Sequence, residues 1–532
     1  MTSVRETTFE LFRAYGLTTV FGNPGSTELP MLVDFPADFR YVLGLQEGAV
    51  VGMADGYAQA TGRPALVNLH SAPGVATGMG ALVNAAAGRV PLVVTAGQQI
   101  RAMLTGQALL TNPDPTTLPR PLVKWSFEPP RPQDVPAALA RATMLAMQPP
   151  RGPVLVSLPM DDWAATADVE AGRLLAARRV AANSAAPTDA VRVLADRLAA
   201  ARSPVLLAGS AVADRDGWTA ALALAEHCRL PVYWAPLEPR CGFPTSHPAY
   251  QGTLPATQAG VGTALQGHDL ILVAGASVFR YYPHVPGPPL PEGAELVLLT
   301  DDPEEAARAP LGDAIVGEVA ATLRCLLDAV PAATRPAPPI GPQPRPVEFA
   351  GGSLTAAAAY AVIARTLPPD GIVVCESVSN LRDCQDQIRF ATPGSFYSPA
   401  GASLGFGVPA AIGVQLARPE RPVVAVVGDG ALQYTVPALW TAARYDVPVT
   451  VVVLRNDRYA VLEDYCDFLG ATNVPGLRVP GIDNVLLAQG YGVSASSVHS
   501  PDELDAALRE AFANPGPRLL EVPIDGSGAT HW

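Results

Sequence analysis

Short apolar runs that end in polar residues recur along the chain. Two of them, at 422–427 and 448–454, lead into Asp429 and Asn456. Runs of this length, rich in valine, are typical of buried parallel strands. Doubly wound parallel sheets bind ligands beyond the carboxyl ends of their strands. We therefore expect Asp429 and Asn456 to lie at a ligand-binding edge of such a sheet.

The same alternation divides the chain into three α/β units. Residues 1–180 and 188–330 each combine strand-like runs with helical stretches, which predicts parallel α/β domains. Seven prolines between positions 331 and 346 predict an extended, semi-rigid connector over 331–347. A third domain follows over 348–532. The predicted fold class is α/β, with three doubly wound parallel-sheet domains.

The residues around Asp429 suggest which ligand that edge binds. Gly428 and Gly430 flank the carboxylate and allow an anion to approach the backbone closely. An Asp and an Asn supply hard oxygen ligands, which suit Mg²⁺ better than Zn²⁺. The pattern predicts a magnesium–diphosphate site. The alternative is an ordinary Gly-Asp-Gly turn.

Composition narrows the class of protein. Hydrophobic residues make up 49% of the chain, and the net charge of −13 argues against nucleic acid or an anionic membrane surface as a partner. The six cysteines lack the spacing of a zinc site, and we read them as buried or free thiols. Residues 1–21 lack the apolar core of a signal peptide, and no apolar run reaches the roughly 18–20 residues of a membrane span. These features predict a cytoplasmic enzyme.

Two motifs carry a resemblance to a known family. Gly428-Asp429-Gly430, followed 26 residues later by Asn456, resembles the cofactor motif of thiamine diphosphate (ThDP) enzymes. The resemblance implies that Asp429, Asn456 and the backbone carbonyl of Arg458 hold the metal. Arg455 stands where the motif usually has a second Asn. Glu47, within Leu-Gln-Glu-Gly-Ala, matches the glutamate that bonds the pyrimidine N1′ of the cofactor, and we expect it to be buried.

Further similarity points to the ThDP-dependent 2-oxo acid decarboxylases, and among them to the benzoylformate decarboxylase branch. It is carried by residues 21–30, 68–72, 95–99, 119–125, 278–281, 404–406, 438–443 and 473–477. The resemblance implies ThDP- and Mg²⁺-dependent, non-oxidative decarboxylation of a benzoylformate-like 2-oxo acid to an aldehyde and CO₂. One alternative is a carboligase of acetolactate synthase type. Another is a catalytically silent binding homologue, against which the intact Glu47, Asp429 and Asn456 argue.

The resemblance also assigns catalytic residues besides Glu47. His70 would transfer protons, a role that suits the pKa range of imidazole. Ser26 would bind the substrate carboxylate, and it is also a candidate helix N-cap. The second histidine of the family pattern is replaced here by Tyr282. Either Tyr282 takes over that role, or His284 reaches the site after a local shift.

The remaining assignments concern the cofactor and the substrate pocket. The cofactor contacts implied by the resemblance are Glu47, Ser377, Ser379, Ala402, Leu404, Gly428, Asp429, Gly430, Ala431, Asn456, Tyr459, Ala460 and Val461. Leu404 would be an apolar wedge beneath the cofactor, although plain core packing is compatible with the same position. The pocket would comprise Ser26, His70, Tyr282, Val461 and Tyr465. Ala460 and Val461 are larger than the residues expected there and should narrow the pocket. Glu463 and Asp464 would add negative charge to the pocket if they face inward.

Two further expectations concern the middle domain and self-association. Small-residue turns at 208–211 and 274–277 occupy the region where acetolactate synthases bind FAD, but neither forms a dinucleotide motif, and we favour a structural role. In the family, the residues that correspond to Glu47 and Asp429 come from different subunits. The resemblance therefore implies a homodimer or a homotetramer.

Overall fold

The computed structural model describes residues 1–182, 184–347 and 354–525. Three six-stranded sheets follow one another along the chain, and every pairing between their strands is parallel. Helices connect the strands in each unit. The predicted α/β class with three parallel sheets is thereby confirmed.

The first sheet has the strand order β2-β1-β3-β4-β6-β5. Its strands are β1 (Thr19–Asn23), β2 (Arg40–Leu43), β3 (Ala65–Leu69), β4 (Leu92–Gln98), β5 (Trp125–Phe127) and β6 (Val154–Pro159). The helices of this unit are α1 (Val4–Tyr15), α2 (Leu29–Leu32), α3 (Glu47–Thr61), α4 (Ser71–Ala87), α5 (Arg101–Leu104), α6 (Val135–Met147) and α7 (Val169–Ala177).

The middle sheet has the order β12-β11-β10-β7-β8-β9, which is that of dinucleotide-binding folds. Its strands are β7 (Pro204–Ala208), β8 (Val232–Trp234), β9 (Tyr250–Thr253), β10 (Leu270–Ala274), β11 (Glu295–Thr300) and β12 (Asp313–Val316). The helices of this unit are α8 (Thr188–Ala200), α9 (Arg215–His227), α10 (Gln258–Ala264), α11 (Pro303–Arg308) and α12 (Val319–Ala329).

The third sheet has the order β14-β13-β15-β16-β18-β17, which repeats the topology of the first sheet strand for strand. Its strands are β13 (Ile372–Glu376), β14 (Phe396–Tyr397), β15 (Val423–Gly428), β16 (Val449–Arg455), β17 (Ser494–Ser497) and β18 (Arg518–Pro523). The helices are α13 (Ala356–Thr366), α14 (Leu381–Gln387), α15 (Gly407–Ala417), α16 (Asp429–Leu432), α17 (Ala438–Arg444), α18 (Ala460–Leu469), α19 (Asn484–Gly490) and α20 (Pro501–Ala513).

The two apolar runs singled out from the sequence are neighbouring central strands. They form β15 and β16, which pair in register from Val423 with Val449 to Gly428 with Leu454. Both strands are buried almost throughout because helices cover both faces of the sheet. Their carboxyl ends, and therefore Asp429 and Asn456, lie at one edge, as predicted.

The first and third domains pack against each other through α3 and α15. A side chain on Gly56 would clash with the carbonyl of Ala410, and one on Gly413 would clash with the carbonyl of Met53. Glycine is therefore required at both positions for the two helix backbones to approach each other. This contact fixes the orientation of α3, which begins at Glu47.

Residues 331–347 contain no helix or strand. They run along the middle domain, where Ala333 N donates to His227 O and Gly341 N donates to Pro248 O. The predicted extended connector therefore lies against the middle domain. In the three described ranges, no helix combines the length and the apolar character that a membrane crossing needs. All six cysteines fall within these ranges and are free thiols.

Candidate active site

Asp429 connects the ends of β15 and β16 by hydrogen bonds. The residue begins α16 directly after β15 and is only 6% exposed. Its Oδ1 accepts a hydrogen bond from Gly430 N at 2.9 Å, and its Oδ2 accepts from Asn456 N at 3.2 Å and Asp457 N at 2.7 Å. Burial raises the pKa of Asp429, while these three amide donors act in the opposite direction. The amides also fix where the carboxylate points.

Two of the three predicted metal ligands, Asn456 and Arg458, lie in one turn after β16, and the third, Asp429, accepts hydrogen bonds from amides of that turn. Asp457 has a left-handed backbone with φ of 56°, and Arg458 N donates to Asn456 Oδ1 at 3.2 Å. A Cβ placed on Gly428 would meet no atom within 4 Å, so the end of β15 opens onto free space. A carboxylate, a side-chain amide and a backbone carbonyl are a donor set for Mg²⁺. Across the described part of the chain, no cluster of three or more His, Cys, Asp or Glu offers a rival metal site.

Several predicted cofactor residues surround this turn. The ring of Tyr459 lies over Gly430, because a Cβ there would come within 2.6 Å of Tyr459 Cε1. Ala431 and Ala460 are buried beside it. Strand β13 pairs with β15, so Ser377, which follows β13, lies at the same edge and is buried. Ser379, two residues later, is half-buried. The sheet therefore brings Ser377 to the same edge as Asp429, and Tyr459 lies against Gly430 there.

Leu404 is half-buried and lies in a loop that Glu376 holds in place. The Glu376 carboxylate accepts from the amides of Gly405 at 2.8 Å, Phe406 at 3.0 Å and Gly407 at 2.8 Å. Burial raises the pKa of Glu376 to about 7, and the three amides oppose this rise. The loop that carries the predicted wedge is therefore rigidly positioned.

Asn84 of the first domain fastens the other side of the same loop. Its Nδ2 donates to Ser403 O at 2.8 Å, and its Oδ1 accepts from Gly401 N at 3.1 Å and Ser403 N at 3.2 Å. Ala402, between these contacts, has a positive φ of 56°. Sequence reasoning missed the roles of Asn84 and Glu376. Their partners are distant in sequence, so no local pattern marks them.

His70 is oriented by a buried carboxylate that sequence reasoning also missed. His70 Nδ1 lies 2.8 Å from Glu28 Oε2 and 3.1 Å from Thr27 Oγ1. Glu28 is 2% exposed and also accepts from Gly25 N at 2.8 Å and Gly97 N at 2.8 Å. Because a carboxylate can only accept, Nδ1 carries the hydrogen, and Nε2 is left to exchange protons. The Thr-Glu that follows Gly25-Ser26 was the available signal.

Ser26 is exposed and begins the turn that also contains Thr27 and Glu28. The backbone of Gly25 abuts the His70 ring so closely that a Cβ there would clash with it. The predicted N-cap role of Ser26 is wrong. The following helix, α2, is a single turn whose N-cap position is Glu28. The Glu28 carboxylate does not cap the helix, because it bonds His70 and nearby amides.

Glu47 is the first residue of α3 and accepts a hydrogen bond from Asn23 Nδ2 at 3.0 Å. Gly74 and Gly78 of α4 line its aliphatic part. The expected burial is wrong for the single chain, where Glu47 is only half-buried. The physical reason is that, within the described ranges, no residue of the same chain fully covers the N-terminus of α3.

Two predicted substrate-pocket residues, one in the middle domain and one in the third, meet in an aromatic stack. The rings of Tyr282 and Tyr465 are 5.1 Å apart and inclined by 7°. Tyr282 is 51% exposed, and Val461, on the same helix as Tyr465, is half-buried. His284 is exposed and makes no hydrogen bond or ion pair within the described ranges. Proton donation by Tyr282 or His284 stays a prediction.

The charge of Glu463 is compensated by two arginines. Its Oε2 accepts from Arg458 Nη1 at 2.9 Å, and its Oε1 lies 3.0 Å from Arg478 Nε. The two arginines neutralise the carboxylate and anchor the start of α18. The predicted electrostatic penalty for an anionic substrate is therefore reduced at Glu463.

The candidate residues fall into two groups. Glu47, His70 and Ser26 belong to the first domain, and Asp429 and Asn456 belong to the third. Among the described residues, no hydrogen bond or ion pair joins one group to the other. In the first group Ser26 is exposed and Glu47 is half-buried, and next to the second group a Cβ on Gly428 would meet open space, so both groups are open on one side.

Three family models match the chain in the order of its domains. The N-terminal TPP (ThDP) binding domain of thiamine pyrophosphate enzymes matches residues 2–117, the central domain matches 191–326, and the C-terminal TPP binding domain matches 380–522. The chain belongs to the thiamine diphosphate enzyme family. Its cofactors are accordingly ThDP and the partner metal Mg²⁺.

Relatives along the whole chain identify the branch of the ThDP family. Benzoylformate decarboxylase from Pseudomonas aeruginosa is 50% identical over 98% of this chain and 99% of its own. The structure of a ThDP-dependent 4-hydroxybenzoylformate decarboxylase from Rhodococcus jostii matches with a TM-score of 0.96 at 47% identity, covering 99% of this chain and 100% of that one. Benzoylformate decarboxylase from Polynucleobacter necessarius matches with a TM-score of 0.96 at 39% identity, covering 99% of each chain.

This ThDP enzyme is therefore a 2-oxo acid decarboxylase, a carbon–carbon lyase. An acetolactate synthase large subunit from Escherichia coli is also similar, but at 26% identity over 96% of this chain and 94% of its own.

Proposed function

We propose that the substrate of this decarboxylase is an aryl 2-oxo acid of the benzoylformate class, which it converts to an aryl aldehyde and CO₂. The observation that carries the proposal is the similarity, over nearly the whole chain, to decarboxylases of benzoylformate and of 4-hydroxybenzoylformate. The aromatic stack of Tyr282 on Tyr465 supports it, because flat apolar surfaces suit an aryl group.

Asp429, Asn456 and the Arg458 carbonyl are the proposed Mg²⁺ ligands, since their oxygens fit that ion. Beside them, the proposed contacts of ThDP are Ser377, Ser379, Ala402, Leu404, Gly428, Gly430, Ala431, Tyr459, Ala460 and Val461. When bound, ThDP supplies the electron sink into which the carboxylate electrons pass. Mg²⁺ held by these residues would compensate the diphosphate charge locally in a chain that is acidic overall.

The proposed acid–base groups are Glu47 and His70. Glu47 is held by Asn23 and would exchange a proton with the pyrimidine N1′. His70, with Nδ1 engaged by Glu28, would move protons at Nε2, and Ser26 in the adjoining turn would donate to the substrate carboxylate. Glu28 acts through His70 and is a positioning residue.

The two open groups of residues support a site that is shared between subunits. Glu47 would come from one copy and Asp429 from another, so that the active unit is a homodimer or a dimer-based homotetramer. Exposed apolar side chains on α18 and the loop after it, Leu462, Phe468, Leu469 and Val474, support a covering partner near the pocket. A second copy would bury the outward face of Glu47.

We also propose the domain limits 1–180, 188–330 and 348–532, with 331–347 as the connector. The three family matches fall inside these limits. A cytoplasmic location is proposed on composition alone.

Carbon dioxide release over a panel of 2-oxo acids tests the substrate class. With ThDP and Mg²⁺ present, benzoylformate and 4-hydroxybenzoylformate should give kcat/KM values at least about 100-fold above that of pyruvate, because an aryl group adds several kcal/mol of apolar contact. Acetolactate formation from pyruvate is the parallel assay for the carboligase alternative. Preference for pyruvate, with acetolactate as the main product, would overturn the proposal.

A further inference from the structure

The backbone carbonyl of Asp429 accepts a hydrogen bond from a polar side chain of the same domain. Gln433, four residues later, directs its Nε2 to two acceptors, Asp429 O at 3.2 Å and Asn484 Oδ1 at 2.9 Å. Asn484 is fully buried at the start of α19. The backbone of the proposed metal ligand is thus connected to a side chain 55 residues further along the chain.

Asn484 also forms a hydrogen bond with Glu521 of β18. Its Nδ2 donates to Glu521 Oε2 at 2.9 Å, and Ser497 Oγ donates to Glu521 Oε1 at 3.3 Å. Glu521 is 5% exposed, and its charge is opposed by Arg455, whose Nε lies 3.7 Å from Oε1. A buried carboxylate needs such partners, because an unpaired one is strongly disfavoured in the interior.

Arg455 is the last residue of β16 and directly precedes Asn456. The amide of Asn456 donates to Asp429 Oδ2 at 3.2 Å, so the series of contacts that began at Asp429 ends at Asp429. We call the side chains of Gln433, Asn484, Glu521 and Arg455 the support ring. Starting from Asp429, the ring returns to Asn456 through hydrogen bonds and one ion pair.

We propose that the support ring sets the separation and orientation of Asp429 and Asn456, and thereby the affinity of the enzyme for Mg²⁺ and ThDP. Its four members are positioning residues. The inference rests on the proposed ligand roles of Asp429 and Asn456.

Two features distinguish this arrangement from ordinary core packing. A fully buried Asn uses both ends of its amide on ring members, although an apolar residue would fill the same space without needing partners. In addition, Arg455 replaces the Asn usual in the cofactor motif, and it supplies the charge that Glu521 requires. Partners of ligand residues typically change metal affinity by about 10- to 100-fold when they are removed.

Two variants test the ring. Glu521→Gln keeps the shape but removes the charge, and Asn484→Leu breaks the connection at similar volume. The matched control is Glu305→Gln. Glu305 is another buried carboxylate, in the middle domain, and it pairs with Arg89 of the first domain. Titration calorimetry of the apoenzyme measures ThDP binding at saturating Mg²⁺ and Mg²⁺ binding at saturating ThDP.

Both ring variants should weaken ThDP and Mg²⁺ binding by about 10- to 100-fold. The ThDP-dependent increase in unfolding temperature should shrink with them, because that increase follows ligand affinity. Glu305→Gln should lower the unfolding temperature of the apoenzyme but keep the full ThDP-dependent increase.

Ring variants that bind both ligands with wild-type affinity would overturn the proposal, and so would a loss as large in Glu305→Gln. Asp429→Ala, titrated in parallel, separates this failure from failure of the metal site itself. If Asp429→Ala also binds normally, the ligand assignment is wrong. If Asp429→Ala alone loses binding, the ligands stand and only the ring is rejected.

Discussion

Replacement of Asp429 by Ala should abolish tight binding of ThDP. The carboxylate is the only charged member of the proposed metal ligand set. Without it Mg²⁺ would be lost, and the diphosphate charge would be left largely uncompensated. The three amides that now bond to Asp429 would also lose their acceptor. We expect ThDP affinity to fall by more than about 100-fold and decarboxylation at ordinary cofactor concentrations to disappear. Titration calorimetry with ThDP and Mg²⁺ measures the loss.

Asp457→Asn is the matched control for charge. Asp457 lies between Asn456 and Arg458, in the turn whose amides bond Asp429, and its positive φ of 56° is one that Asn tolerates well. This variant removes a negative charge within the turn but leaves Asp429 and its amide donors in place. It should retain ThDP affinity. Wild-type affinity in Asp429→Ala, or an equal loss in both variants, would remove Asp429 from the metal site.

Glu47→Gln should separate binding from chemistry. The amide has the shape of the carboxylate and keeps an oxygen for the hydrogen bond from Asn23. It lacks the ability to exchange a proton with the pyrimidine N1′. Exchange of the thiazolium C2 proton of bound ThDP, followed by NMR in deuterated buffer, should slow by about 100- to 10,000-fold. ThDP affinity should change by no more than a few-fold.

Glu128→Gln serves as the control in the same domain, because Glu128 is a carboxylate that accepts from Gln98 and Ser157. It should exchange the C2 proton at the wild-type rate. An unchanged exchange rate in Glu47→Gln would exclude the proposed role. Loss of ThDP binding in that variant would instead assign Glu47 a role in holding the cofactor.

The parts of the structure that follow from short sequence patterns were predicted well. Valine-rich runs gave β15 and β16, and the parallel sheet brought Asp429 and Asn456 to one edge. The apolar pattern and the position of the polar residues were sufficient to predict this edge, because Asp429 and Asn456 each directly follow their strand in the chain.

The supporting contacts were not predicted, since they join residues that are far apart in sequence. Glu376 bonds amides 29–31 residues away, and Asn84 bonds a loop 317–319 residues away. Each of these side chains is buried and polar, which no local pattern reveals. The capping role of Ser26 was a local inference that failed for the same reason, because the distant His70 engages Glu28 and determines the turn.

Combining the two inactive variants tests most directly whether each active site is built from two subunits. Glu47→Gln and Asp429→Ala subunits with different affinity tags would be co-expressed in equal amounts. In a mixed dimer, one site then receives Glu47 from one chain and Asp429 from the other, and the second site receives both substitutions. Random assembly should restore roughly a quarter of the wild-type rate of ThDP- and Mg²⁺-dependent CO₂ release from benzoylformate. Activity no higher than that of either variant paired with itself would contradict a site built from two copies of the chain.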